Sequence, residues 1–104
     1  MFTRISLAEA QELLKNTDLY LLDVRDKEAY EARHITSAQH ITRDNLALFS
    51  ATADKNRPVL VYCYHGNSSQ NVAHYLANQG FVDVFSLEGG FETWRKLSHE
   101  KDTE

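Results

Sequence analysis

Cys63 is the only cysteine in the 104-residue chain, and Tyr64-His65-Gly66-Asn67-Ser68-Ser69 follow it directly. A thiol beside an imidazole, a glycine and two hydroxyls points to nucleophilic sulfur chemistry. Out of context, a lone cysteine reads as a small buried hydrophobe, so the case rests on its surroundings. A free thiol has a pKa near ~8.5 and is only about 3% thiolate at pH 7. Loop amides aimed at the sulfur, with a helix dipole behind them, favour the anion. Lowering the pKa by ~2 units takes roughly 2.7 kcal/mol, within reach of a few charge-assisted hydrogen bonds. Nucleophilicity falls with basicity, so the ~25-fold gain in thiolate is offset by roughly 8-fold. A cradle of amides must therefore act mainly by holding a negatively charged substrate or intermediate.

The neighbours of Cys63 divide by chemistry. A thiolate needs no general base, so His65 reads as the rim of a pocket. Gly66 lets the backbone curl so that successive amides point inward, and Asn67 suits a turn. Ser69 fits the N-cap of the following helix, which alone would account for it. Ser68 and Ser69 are also candidates to donate a hydroxyl to the sulfur. A second cluster, Asp23 and Arg25, reads as a mutual or loop-anchoring ion pair. Arg25 is also the candidate positive charge for the site.

These residues need a strand and a helix to hold them. Val59 to Tyr62 are continuous and apolar, the pattern of a strand buried on both faces, and Pro58 starts it. From Ser69 the apolar Val72, Tyr75 and Leu76 recur at helical spacing until Gly80. A thiol at the carboxyl end of a parallel strand, before a helix N-terminus, sits where α/β folds place their chemistry. Around this unit the sequence predicts a first strand over Phe2 to Ile5 and a helix from Leu7 to Asn16. The capping box Ser6-Leu7-Ala8-Glu9 opens that helix. Leu19 to Leu22 form a strand ending at Asp23, and Asp26 caps a short helix with Ala29 and Tyr30 inward. Gln39 to Ile41 form a brief strand, and Asp44 caps a helix carrying Leu46, Leu48 and Phe49. Phe81 to Phe85 form the last strand, Glu88-Gly89-Gly90 a tight turn, and Phe91 to Leu97 the last helix, before a polar, frayed tail from Ser98. Strands alternating with helices predict a parallel sheet covered on both faces, an α/β fold, as one domain over residues 1–104.

Cys63-Tyr64-His65-Gly66-Asn67-Ser68-Ser69 resembles the active-site loop of the single-domain rhodaneses, the thiosulfate sulfurtransferases, and is most similar to that of the GlpE-type bacterial enzymes. Leu22-Asp23-Val24-Arg25, followed by Glu28, Tyr30 and His34-Ile35, resembles the family's amino-terminal signature. Leu87-Glu88-Gly89-Gly90-Phe91-Glu92-Thr93-Trp94 resembles its carboxyl-terminal one. The resemblance implies a three-layer α/β/α rhodanese-like domain with about five parallel strands in the order 1-5-4-2-3, and Cys63 in the loop after the fourth. It implies transfer of sulfane sulfur from thiosulfate through a Cys63 persulfide, with release of sulfite. Tyr64, His65, Gly66, Asn67, Ser68 and Ser69 would hold the substrate, with Arg25 nearby. Cyanide is the implied assay acceptor and a thioredoxin-like dithiol the implied cellular one; no cofactor or metal is implied. Many relatives carry Lys or Arg in the loop where this chain has Asn67 and Ser68, so thiosulfate should saturate the site weakly. Arg33 and Ser37 stand where glycines are common.

Other classes fare worse. A net charge of −4 without a basic run argues against nucleic acid. No apolar stretch approaches the 18 or more residues of a membrane span, and Met1-Phe2-Thr3-Arg4 opens no signal peptide. One unpaired cysteine suits a reducing cytoplasm. The five histidines show no i, i+4 pair, so no zinc site is expected. Phosphatases and arsenate reductases of this fold need an arginine six residues after the cysteine, and Ser69 stands there. A binding module derived from the fold usually lacks the cysteine.

Overall fold

Val59, Leu60, Val61 and Tyr62 are all fully buried, and they form the strand from which the site is built. A computed structural model describes residues 1–16 and 18–101. In chain order its elements are β1 (Thr3–Ile5), α1 (Leu7–Leu13), β2 (Tyr20–Asp23), α2 (Lys27–Ala32) and β3 (Gln39–His40). There follow α3 (Leu46–Thr52), β4 (Val59–Tyr62), α4 (Ser68–Asn78), β5 (Val84–Leu87) and α5 (Gly90–Lys101). The five strands are parallel and lie in the order β1-β5-β4-β2-β3, as the sequence resemblance implies.

Alternation along β4 divides the core between two layers. Leu60 and Tyr62 join Ile5, Ala10, Leu21, Leu87 and Phe91 against α1 and α5. Val59 and Val61 join Phe49, Ala73, Leu76 and Val84 against α3 and α4. A strand sandwiched in this way needs apolar side chains on both faces. Each such side chain contributes about 1.5–3 kcal/mol by leaving water.

Two helix starts follow from local chemistry. Ser6 Oγ accepts from the Glu9 amide while Glu9 Oε1 accepts from the Ser6 amide, at 3.2 and 2.9 Å. Asp26 accepts from the Ala29 amide at 2.9 Å. A third start differs from expectation: Asn45, not Asp44, precedes α3. Its side chain accepts from the Thr42 amide and donates to the His40 carbonyl, and Thr42 Oγ1 takes the Asp44 amide. The loop closes on itself there, and Asp44 caps nothing.

The last strand also differs. It runs Val84–Leu87, because Phe81 closes α4 instead. The Phe81 amide donates to the Leu76 carbonyl and the Gly80 amide to that of Ala77, a Schellman closure in which Phe81 packs in the same cluster as Leu76. Pairing begins only at Val84, opposite Val59. At the ends, α1 stops at Leu13 rather than Asn16, and α5 runs past Leu97 to Lys101, since Ser98 to Lys101 contain no helix breaker. Residues 102–104 of the expected tail lie outside the described residues.

Ser37, where the resemblance leads one to expect glycine, adopts φ 75°. The left-handed region costs an L-residue roughly 1–2 kcal/mol, and glycine returns about half of that gain as unfolded-state entropy. Ser37→Gly is therefore expected to raise stability by about 0.5–1 kcal/mol. A higher urea midpoint at unchanged slope is the reading; an unchanged or lower midpoint means the strain is absent.

Candidate active site

The register of the sheet brings the two chemical clusters of the sequence together. Asp23 at the end of β2 lies opposite Tyr62 at the end of β4, so Arg25 and Cys63 leave the same edge. The Val24 amide donates to the Tyr62 carbonyl at 3.0 Å and extends this contact. The site lies outside the carboxyl ends of β2 and β4, a place where open α/β sheets bind ligands.

The loop after β4 is held from β5 and α5. The Phe91 amide donates to the Cys63 carbonyl at 2.7 Å and the Glu92 amide to the Tyr64 carbonyl at 3.1 Å. Free amides of a helix first turn thereby clamp the loop backbone. This approach needs glycine: a Cβ on Gly90 would meet the Cys63 and Tyr64 backbone at 2.5 Å. Gly66 has φ +91°, and a Cβ there would stand 3.0 Å from the Gly89 nitrogen. Both positions thus combine a backbone that side chains disfavour with a neighbour that leaves them no room.

Around the buried Cys63 sulfur two amide donors and a hydroxyl converge. The amides of Gly66 and Ser69 point at Sγ from 3.2 and 3.3 Å. Ser69 Oγ lies 3.4 Å away, near enough to take the thiol proton or, once that proton has gone, to donate its own. Burial pushes the thiol pKa up. The Ser69 hydroxyl and the amides of Ser69, Gly66 and His65 outweigh burial, and the net is below the ordinary thiol value. Ser69 is not the N-cap expected from its type. Asn67 holds that place, and Ser69 is the second helical residue, fully buried, with both its amide and its hydroxyl turned to the sulfur. The helix end serves the thiol instead of its own cap.

Above the sulfur opens a pocket of about 260 Å³, lined by Tyr64, His65, Asn67 and Ser68 from the loop and by Val24, Arg25 and Asp26 from the end of β2. Tyr64, His65, Asn67 and Ser68 are exposed. Asn67 also serves the turn, its carbonyl accepting from the Gln70 amide at 3.1 Å. A larger cavity of about 530 Å³ lies between Leu14, Ile35 and Trp94, and none of the loop residues lines it. Cys63 and its loop line only the smaller of these two.

Arg25 borders the pocket, but its charge is committed elsewhere. Its Nε and Nη2 bond the carboxylate of Asp23 at 2.7–3.1 Å, and Nη2 also donates to the Arg33 carbonyl. The side chains of Arg25 and Asp23 are 2% and 0% exposed. The guanidinium lies 4.0 Å from the Phe91 ring centroid and 5.4 Å from that of Tyr64. It thus works as an anchor between β2, the loop and α5, and not as a free cation. Val24 and Asp26, read in the sequence only as part of a signature and as a helix cap, also form the pocket wall; this follows from the Asp23-Val24-Arg25-Asp26 run at the strand end. Ser86, which also touches the site, had a signal available: a hydroxyl in the apolar strand Val-Phe-Ser-Leu.

A family model described as Rhodanese-like domain matches residues 6–97. The chain is 54% identical over 95 residues to the Thiosulfate sulfurtransferase GlpE of Coxiella burnetii, covering 91% of this chain and 89% of that one. It is 50% identical over 96 residues to the protein of the same name from Tolumonas auensis, covering 92% and 91%. Among solved structures, the Rhodanese-like Domain Protein from Staphylococcus aureus shares 28% identity at a TM-score of 0.77, covering 89% of this chain and 91% of that one.

Proposed function

The chain belongs to the rhodanese-like domain family, and from that premise we propose that it is a thiosulfate sulfurtransferase working through a persulfide on Cys63. The observation that carries the proposal is the sulfur atom itself, held by two amides and a hydroxyl at 3.2–3.4 Å beneath an open pocket. Donors so arranged favour a sulfur anion and any anion that approaches it.

The Cys63 thiolate attacks the outer, sulfane sulfur of thiosulfate. A sulfur–sulfur bond forms to Cys63, the one within thiosulfate breaks, and sulfite leaves with the bonding pair. The terminal sulfur of the persulfide occupies the pocket between Tyr64, His65, Asn67 and Ser68. A thiophilic acceptor then attacks that sulfur and the Cys63 thiolate departs. With cyanide the product is thiocyanate. With a thioredoxin-like dithiol, the second thiol displaces hydrosulfide and leaves a disulfide on the acceptor. No organic cofactor or metal enters the electron balance. We assign residues 1–104 to one such domain acting in the cytoplasm, where a lone thiol stays reduced. Among the described residues no helix is long and apolar enough to cross a membrane.

Incubating the purified protein with thiosulfate is expected to yield a species heavier by one sulfur atom, which cyanide removes as thiocyanate. No added sulfur from thiosulfate or any other sulfane donor would return the chain to a binding module. A phosphatase reading lacks its oxyanion fork, since Ser69 stands six residues after Cys63 and Arg25 is paired with Asp23.

The loop offers thiosulfate no cation of its own, so saturation should be weak. Ser68 is exposed at the pocket wall, where an arginine side chain has room. Ser68→Arg is expected to lower the thiosulfate KM by about 3–10-fold and to leave kcat within about 2-fold, as uniform binding does. The gain should shrink at high salt. A changed kcat at constant KM would show instead that the charge acts on the transition state.

A further inference from the structure

Ser86 stands within β5, 1% exposed, with its hydroxyl 2.8 Å from Ser69 Oγ. Ser69 Oγ in turn lies 3.4 Å from the Cys63 sulfur. Strand pairing sets this up: Ser86 lies opposite Val61, two residues before the thiol. A hydroxyl in a strand core is unfavourable unless it is hydrogen-bonded, and here its partner is the residue that touches the nucleophile.

We infer that Ser86 is a positioning residue for Cys63: by donating to Ser69 Oγ, it fixes the Ser69 hydroxyl as a donor to the sulfur anion. The chain of hydroxyls can run either way. In the thiol form, S–H donates to Ser69 Oγ, and the Ser69 O–H points to Ser86. On ionisation the S–H bond breaks and its proton leaves through the pocket to solvent. The Ser69 O–H then turns to the sulfur, and the acceptor position it needs filled on Oγ is taken by the Ser86 O–H. No other bond breaks. Hydroxyls linked in this way polarise one another, so the outer one strengthens the inner. For turnover the inference rests on the sulfurtransferase reading, in which the thiolate occurs twice, as nucleophile and as leaving group. For the ionisation of Cys63 it does not.

The titratable groups around the sulfur are the Arg25–Asp23 pair from β2, Asp26 at the head of α2, Tyr64 and His65 in the loop, and Glu92 of α5, whose carboxylate is held below its usual range by Arg95 and, to a smaller degree, by His65. All of them are retained when Ser86 is replaced. A shift in Ser86 variants therefore reports the hydroxyl chain.

The test is the pH profile of Cys63 alkylation by iodoacetamide with no sulfur donor present. Ser86→Ala is expected to raise the midpoint by about half a unit, which is roughly 3-fold less thiolate below the midpoint. Ser86→Thr and Ser86→Val have the same shape, and only the first keeps the hydroxyl. Threonine is expected to recover the wild-type midpoint to within about 0.2 unit and valine to shift it as alanine does. This pair decides the matter if the alanine variant fails to fold. An unmoved midpoint in Ser86→Ala, or equal midpoints in the threonine and valine variants, overturns the inference. Thiosulfate:cyanide turnover is measured in parallel. A threonine–valine split in the titration without sulfur transfer in wild type sustains the hydroxyl chain and overturns only the sulfurtransferase reading. Transfer without the split overturns the chain alone.

Discussion

Cys63→Ser is expected to form thiocyanate from thiosulfate and cyanide at a rate reduced on the order of 10³-fold or more, and to gain no sulfur. A serine hydroxyl is a far poorer nucleophile toward sulfane sulfur and cannot form a persulfide. The substitution keeps the size of the side chain nearly intact, and the donors at Gly66, Ser69 and Ser69 Oγ can bond an oxygen. Stability should therefore change by no more than about 1 kcal/mol. Turnover and mass are read beside a melting curve, so that lost chemistry is not mistaken for a lost fold. Residual transfer at a few per cent of wild type, in protein free of wild-type contamination, would place the nucleophile elsewhere.

The sequence made this centre legible because its unit is local. An apolar run, a cysteine, a glycine-containing loop and a helix follow one another within about two dozen residues, and each has a pattern of its own. The capping box at Ser6 and the cap at Asp26 were legible for the same reason. What failed was long-range or competitive. Phe81 and Val82 continue an apolar run into Val84, but nothing local says that Phe81 closes α4 while pairing waits for Val84 to meet Val59. Asp44 and Asn45 are both capping residues by type, and the side chain of Thr42 decides between their positions. Ser69 has the chemistry of a cap but lies two residues inside, where its hydroxyl meets Cys63 and Ser86. Ser86 could be tied to the site only through the strand order, which puts β5 beside β4. The pairing of Arg25 with Asp23 was one of two readings. Its burial under Phe91 depends on α5 folding back over the loop.

That burial makes Asp23 a sensitive position for stability. Its carboxylate, 0% exposed, accepts from the Arg25 amide at 2.9 Å and from the Arg25 guanidinium at 2.7–3.1 Å. Burial and then the nearby Asp23 push the Tyr62 pKa far up, so the phenol stays protonated. Burial works against the Arg25 charge, and Asp23 more than offsets it, leaving the guanidinium more firmly protonated than usual. Asp23→Ala strands a buried cation without its partner. A loss of about 3–5 kcal/mol is expected, a large share of the 5–15 kcal/mol typical of a whole domain. For a chain of this length that lowers Tm by roughly 15 °C or more. Asp23→Leu combined with Arg25→Met removes both charges and fills the space, so it should recover most of the stability. The double variant also separates two roles of Arg25. If its guanidinium serves only as an anchor, the thiosulfate KM of the refolded double variant should stay within about 3-fold of wild type. A double variant that folds well but loses thiosulfate binding by more than about 10-fold would show that the paired cation still acts on the dianion through the pocket wall. An Asp23→Ala protein that melts with wild type would show that water reaches the guanidinium and that the anchor is not buried as described.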